Sequence, residues 1–135
     1  MIKKKNINKI FYIFIFSHLI IWTFIPSISN LNLPLDTIEA LAWGSNLDWG
    51  FNKHPPFSAF AVELFYLMFG NNDWSYYLLS QIFVITSFFF VWKFSSEIFE
   101  DQKYSLLAVL ILTGFFFITL LYLILILILV YYFFW

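Results

Sequence analysis

Three stretches of this chain contain no Asp, Glu, Lys or Arg: Ile10 to Ile28, Trp74 to Trp92, and everything from Tyr104 to Trp135. Each is long enough to cross a bilayer, whose hydrocarbon of roughly 30 Å takes about 20 mostly apolar residues of helix. A soluble domain of this length could not bury so much apolar surface, and composition agrees: 62% of residues are apolar and 25% aromatic, against 11% charged. The expected fold is an all-α polytopic membrane protein, with room for no more than about four spans.

The few charges limit the function. Net charge is −1 and all 7 basic residues are lysine, with no basic patch beyond the N-terminus, so nothing points to nucleic acid. Cysteine is absent, which removes disulfides, thiolate metal sites and cysteine nucleophiles. Lys3, Lys4, Lys5 and Lys9 precede the first apolar run, so the positive-inside rule places the N-terminus in the cytoplasm. That run is long for a cleavable signal peptide, and no clear A-x-A cleavage site follows it. His18 sits within it. A neutral imidazole facing neighbouring helices or the nearby interface is the plain reading, since no second polar group accompanies it.

Residues 29–73 form an expected outward loop with juxtamembrane helices. Pro34 holds Leu33 extended, so Asp36 falls where an N-cap or first-turn acid would start a helix through DTIEALAWG. Gly44 and Gly50 punctuate the chain, and Pro55-Pro56 opens the next element. The apolar segment Phe57 to Phe69 is too short to span and carries Glu63, which would cost on the order of 3 kcal/mol at the bilayer centre. It reads as an interfacial or partly re-entrant helix capped by Gly70.

Trp74 to Trp92 is the second span, with a tryptophan at each end in an interfacial position, and Lys93 to Lys103 is a short polar loop. The third span is placed at 104–124. A helix continuous from Tyr104 to Trp135 would be about 48 Å long, more than tilt absorbs. The tail FFFITLLYLILILILVYYFFW also lacks the small residues by which bundle helices approach one another. A lipid-facing helix is one explanation; a truncated or frame-shifted product, with residues 115–135 read out of frame in an AT-rich coding sequence, is the preferred one.

Chemistry has one place to reside, the polar island LDTIEALAWGSNLDWGFNKHPPF from Leu35 to Phe57. Asp36 and Glu39 are three residues apart, so on a helix they project toward one volume. Taken alone, Asp36 caps the helix, worth about 1 kcal/mol, and Glu39 is a solvated acid. Lys53 and His54 stand on a turn stiffened by Pro55-Pro56, a pair suited to an anionic group such as phosphate. Trp43, Trp49 and Phe51 either stack on a sugar or prenyl chain or anchor the loop at the interface. Glu63 either faces the same cavity or snorkels. One outward histidine among scattered acids is too little for a metal site, so no cofactor is expected and a divalent metal is left open.

An apolar first span, an acid in a juxtamembrane helix, then Trp43-Gly44, Leu47, Trp49-Gly50-Phe51 and Lys53-His54-Pro55-Pro56-Phe57, with a short apolar helix ending in Phe69-Gly70, resembles the bacterial GT-C glycosyltransferases. The resemblance is to the dolichyl-phosphate-mannose-protein mannosyltransferase and aminoarabinose transferase superfamily, and it covers residues 10–114. It implies the N-terminal part of a GT-C transmembrane helix bundle, a multi-pass protein of the bacterial inner membrane with loop 29–73 outward. It also implies a polyprenyl-phosphate-linked sugar donor and a lipid, glycan or protein acceptor, with membrane lipids around them.

The family's catalytic aspartate in the first outward loop falls on Asp36, the implied general base of a single displacement that inverts the anomeric carbon. The basic residue before the family's proline, a contact of the donor phosphate, falls on His54, with Lys53 beside it. Glu39, Trp43 and Trp49 join them as expected substrate contacts. The family writes its acidic pair directly as Asp-Glu, whereas Asp36-Thr37-Ile38-Glu39 separates the two, so Glu39 can equally be structural.

A second acidic motif, carried by the family in its next outward loop, has no counterpart here: that position holds mainly Leu, Ile, Phe and Tyr. The chain is therefore expected to be the first piece of such an enzyme and inactive alone. The alternative from another class is a small non-catalytic membrane protein whose loop binds a partner or a lipid head group. A transporter subunit lacks the paired charges and matched helix breaks.

Overall fold

The computed structural model describes residues 4–46, 48, 49 and 56–114. Every regular element among them is an α-helix: α1 (Lys4–Ser29), α2 (Leu35–Gly44), α3 (Pro56–Phe69), α4 (Asp73–Ile98) and α5 over residues 102–114. Among the described residues α1 and α4 are long and apolar enough to cross a membrane. At about 1.5 Å per residue their 26 residues each reach about 39 Å. The 14 residues of α3 reach about 21 Å, short of the hydrocarbon thickness. The expected all-helical membrane architecture is present. Of the expected third span, α5 supplies the beginning; residues 115–135, including the segment expected to change frame, lie outside the described residues.

α1 runs through Pro26, which has no N–H for the carbonyl one turn back. The helix nevertheless continues to Ser29, and its last turn is closed by the Asn30 N–H donating to the Pro26 carbonyl at 2.9 Å and Ser29 Oγ to the Ile25 carbonyl at 2.8 Å. Phe16, Phe24, Ile25 and Ile28 stand exposed, the pattern of a helix meant for apolar surroundings. His18 is half-buried and flanked by the rings of Phe14 and Trp22, four residues to either side on its own helix, at centroid distances of 5.9 and 6.0 Å.

α3 ends at Gly70, whose φ of +69° and N–H bond to the Tyr66 carbonyl at 2.7 Å make the left-handed C-cap anticipated from sequence. Asn72 closes the turn through Nδ2 to the Phe69 carbonyl at 2.6 Å, and the Asn72 carbonyl accepts from Ser75 Oγ at 2.7 Å as α4 begins. α4 does not stop at Trp92. The stretch Lys93 to Lys103, expected as a loop, is helical to Ile98 and again from residue 102. It contains neither Gly nor Pro, and its polar groups serve the helices. Ser95 is buried, Ser96 Oγ donates to the Lys93 carbonyl at 2.7 Å, and Asp101 caps α5 by accepting the Lys103 N–H at 3.1 Å.

The chain divides into two units. In the unit made of Met1–Tyr12 and Ser87–Trp135, Ile7, Phe11, Phe88, Trp92 and Val109 are buried, and Phe11 stacks on Trp92 with centroids 4.2 Å apart and planes at 13°. Trp92, expected at the lipid interface, is thus a core residue only 8% exposed; the facing ring supplies the partner that a large aromatic needs to be buried. In the unit Ile13–Thr86, the core is Ala40, Val62, Tyr76 and Leu79, with Leu33, Leu41, Ala61 and Phe65 packed on it. This core joins α2, α3 and the first half of α4.

Candidate active site

α2 begins behind Pro34, whose carbonyl accepts the N–H groups of Thr37 at 3.0 Å and Ile38 at 3.1 Å. Pro34 itself occupies the N-cap position and no side chain caps the helix. Asp36 is therefore the first-turn acid of the two options open from sequence. Its charge meets the positive end of the helix dipole, an interaction of about 0.3–1 kcal/mol at an exposed site. The carboxylate is exposed and not spent on capping.

Glu39 follows three residues later and is half-buried, and Trp43, also half-buried, stands one turn beyond it on the same stripe of α2. Trp49 is 86% exposed and meets the Phe60 ring edge-on, at a centroid distance of 5.6 Å and an angle of 90°. Phe51, Lys53 and His54 lie outside the described residues. α3 starts two residues after His54, with Pro56 in its first turn, where the missing N–H has no helical partner to lose.

A second stripe of α2 carries Asp36, Ala40 and Gly44 at spacings of four, and of these Ala40 and Gly44 are buried. A Cβ placed on Gly44 would lie 2.9 Å from the Ala59 carbonyl oxygen, 3.0 Å from Glu63 Cβ and 3.1 Å from Glu63 Oε2. The last turn of α2 is thus seated directly on the first half of α3. Glu63, left from sequence either to face a cavity or to snorkel, lies half-buried beside that turn. Sequence reading missed this contact. Its signal is the spacing Ala40-x-x-x-Gly44, two small residues one turn apart that let helices approach closely.

On its other side α3 shares an apolar cleft of about 330 Å³ with α4, lined by Phe57, Ala61, Val62, Leu79 and Phe83, with Ser58 and Ser80 at hand. The Asn30 Nδ2 donates to Tyr77 Oη at 3.0 Å, tying the segment after α1 to the start of α4. Among the described residues no three His, Asp or Glu side chains gather as metal ligands would.

Residues 53–135, more than half of the chain, match the sequence model described as dolichyl-phosphate-mannose-protein mannosyltransferase. That makes the class a membrane glycosyltransferase of the GT-C type. The chain belongs to the dolichyl-phosphate-mannose-protein mannosyltransferase family. The match includes Lys53 and His54 and runs on through residues 115–135, whereas Asp36, Glu39, Trp43 and Trp49 precede it. No curated protein and no solved structure matches the chain.

Proposed function

We propose that this protein transfers a sugar from a polyprenyl-phosphate-linked donor to a lipid, glycan or protein acceptor at the outer face of a bacterial inner membrane, with its N-terminus in the cytoplasm. The family match, which contains Lys53-His54, is the observation that supports this most directly. The donor in the family's name, dolichyl-phosphate-mannose, is itself a sugar on a polyprenyl phosphate.

In this reading an acceptor oxygen or nitrogen attacks the anomeric carbon and passes its proton to the Asp36 carboxylate. The bond from that carbon to the phosphate oxygen breaks, and the polyprenyl phosphate leaves with the electron pair. A single displacement inverts the centre. The leaving oxygen is weakly basic, so no strong general acid is needed. Asp36 is suited to its role by exposure and freedom from capping. Lys53 and His54 hold the phosphate by charge-assisted hydrogen bonds. Glu39 contacts the sugar or acceptor, and Trp43 and Trp49 offer ring faces to the sugar.

In membranes carrying the full chain, Asp36→Asn is expected to lower transfer by about 10² to 10⁴ while leaving donor binding and folding intact. Full activity in that variant removes the base assignment. His54→Ala should weaken donor binding by roughly 10- to 100-fold, the loss of a hydrogen bond to a charged group. Unchanged donor affinity would end the phosphate-contact role.

A further inference from the structure

We infer that Gly44 is a positioning residue for the reaction: it sets how closely α2, and with it Asp36, is seated against α3. This rests on the reading of Asp36 as the base. Gly44 is in the helical part of α2, and the following Ser45 is also right-handed helical, so a left-handed turn does not explain the glycine. Glycine in a helix gives up about 1 kcal/mol relative to alanine. What it gains is contact. The nearest atom to its absent Cβ, at 2.9 Å, is a backbone carbonyl oxygen of α3, which no rotamer change can move aside.

Ala40, one turn earlier on the same face, is buried in the core with Val62, Tyr76 and Leu79. The face is therefore anchored at two successive turns. Asp36 is the next step along it, about 12 Å from Gly44 up the helix axis. α2 is one rigid 10-residue helix, so a side chain forced in at Gly44 displaces Asp36 as well. Reacting groups tolerate misplacement of about 0.5 Å, and about 1 Å can cost on the order of 10² in rate.

The test uses the full chain, which has no native cysteine. Spin labels go on Ala42→Cys and Leu64→Cys, both exposed positions, one on α2 and one on α3. Gly44→Leu is expected to lengthen the interlabel distance by about 2 Å or more, because a close-packed contact cannot absorb the added volume. With dolichyl-phosphate-mannose as donor, the milder Gly44→Ala should lower kcat by about 10- to 100-fold and hold donor KM within about twofold, since a base acts on the acceptor's proton and not on the donor. Ala42→Leu, on the exposed side of α2, should change neither kcat nor KM.

An unchanged label distance in Gly44→Leu overturns the inference. So does a Gly44→Ala enzyme with native kcat, or one in which kcat and KM deteriorate together. Full turnover by Asp36→Asn alongside a lengthened distance overturns the base reading instead and leaves the α2–α3 seat standing. If the unmodified chain does not turn this donor over, as expected of a chain inactive alone, the label distance decides the seat.

Discussion

Asp101 shows how one backbone amide can govern a surface carboxylate. The Lys103 N–H donates to Oδ1 at 3.1 Å, and the Lys103 ammonium lies 2.9 Å from Oδ2. The backbone bond first, then the side-chain bond, holds the Asp101 carboxyl below its usual range, and Asp101 in turn raises Lys103. Both groups are exposed, so the ion pair itself adds little. The signs are opposite. A depressed acid contributes stability that is present above its unfolded pKa and lost as pH falls through the folded value, so the start of α5 loosens on the acid side of the ordinary aspartate range. A raised lysine contributes below its unfolded pKa and loses that contribution as pH rises through the folded one. In an NMR titration, Lys103→Ala should return Asp101 only part of the way to its ordinary value, because the residue-103 N–H survives. Complete return would assign the shift to the ammonium. At this scale the sequence was partly legible. It offered Asp36 as cap or first-turn acid, and the choice fell to Pro34, whose carbonyl receives the first helical N–H groups. It read Asp101 as loop polarity when it is a cap.

Among the elements, the short helices were legible because their ends carry strong local signals. Pro34 and Gly44 bracket α2, and Pro56 and Gly70 bracket α3. The end of α4 was not, because polarity was taken for a break where nothing interrupts the hydrogen-bond ladder. The packing of α2 on α3 was hidden for another reason: a glycine needed for close approach looks in sequence like one that ends a helix. Gly70 and Gly44 separate the two uses. At Gly70 a Cβ would meet nothing nearer than Asn72 Nδ2 at 4.0 Å, so the cost of a side chain there is purely conformational. Gly70→Ala should destabilise the chain by about 1 kcal/mol and Gly70→Asn by less, since asparagine tolerates the left-handed region. Thermal unfolding in one detergent measures both. Equal stability of the glycine and alanine forms would show that the turn relaxes out of φ +69° at no cost.

For the whole molecule, helical membrane character was legible from three uncharged runs, and the family from one short motif, while residues 115–135 carry no charge, cap or break from which to place them. What the helix lengths add is a prediction of topology. α1 and α4 each reach about 39 Å and can cross roughly 30 Å of hydrocarbon, whereas α3 reaches about 21 Å and carries the half-buried Glu63. Two crossings from a cytoplasmic N-terminus return the turn at residues 99–101 to the cytoplasm, where Lys93 and Lys103 on either side of it belong by the positive-inside rule. The segment between α2 and α3 then faces outward with the proposed active site. Because the chain has no cysteine, Asn46→Cys and Glu100→Cys can each be the single thiol, both at exposed positions. A membrane-impermeant maleimide added to intact cells should label residue 46 and spare residue 100 until the membrane is opened. Labelling of both residues from outside would mean that α3 crosses as well, which would carry Glu63 into the hydrocarbon and leave Lys93 and Lys103 on the wrong side; labelling of residue 100 alone would invert the whole topology.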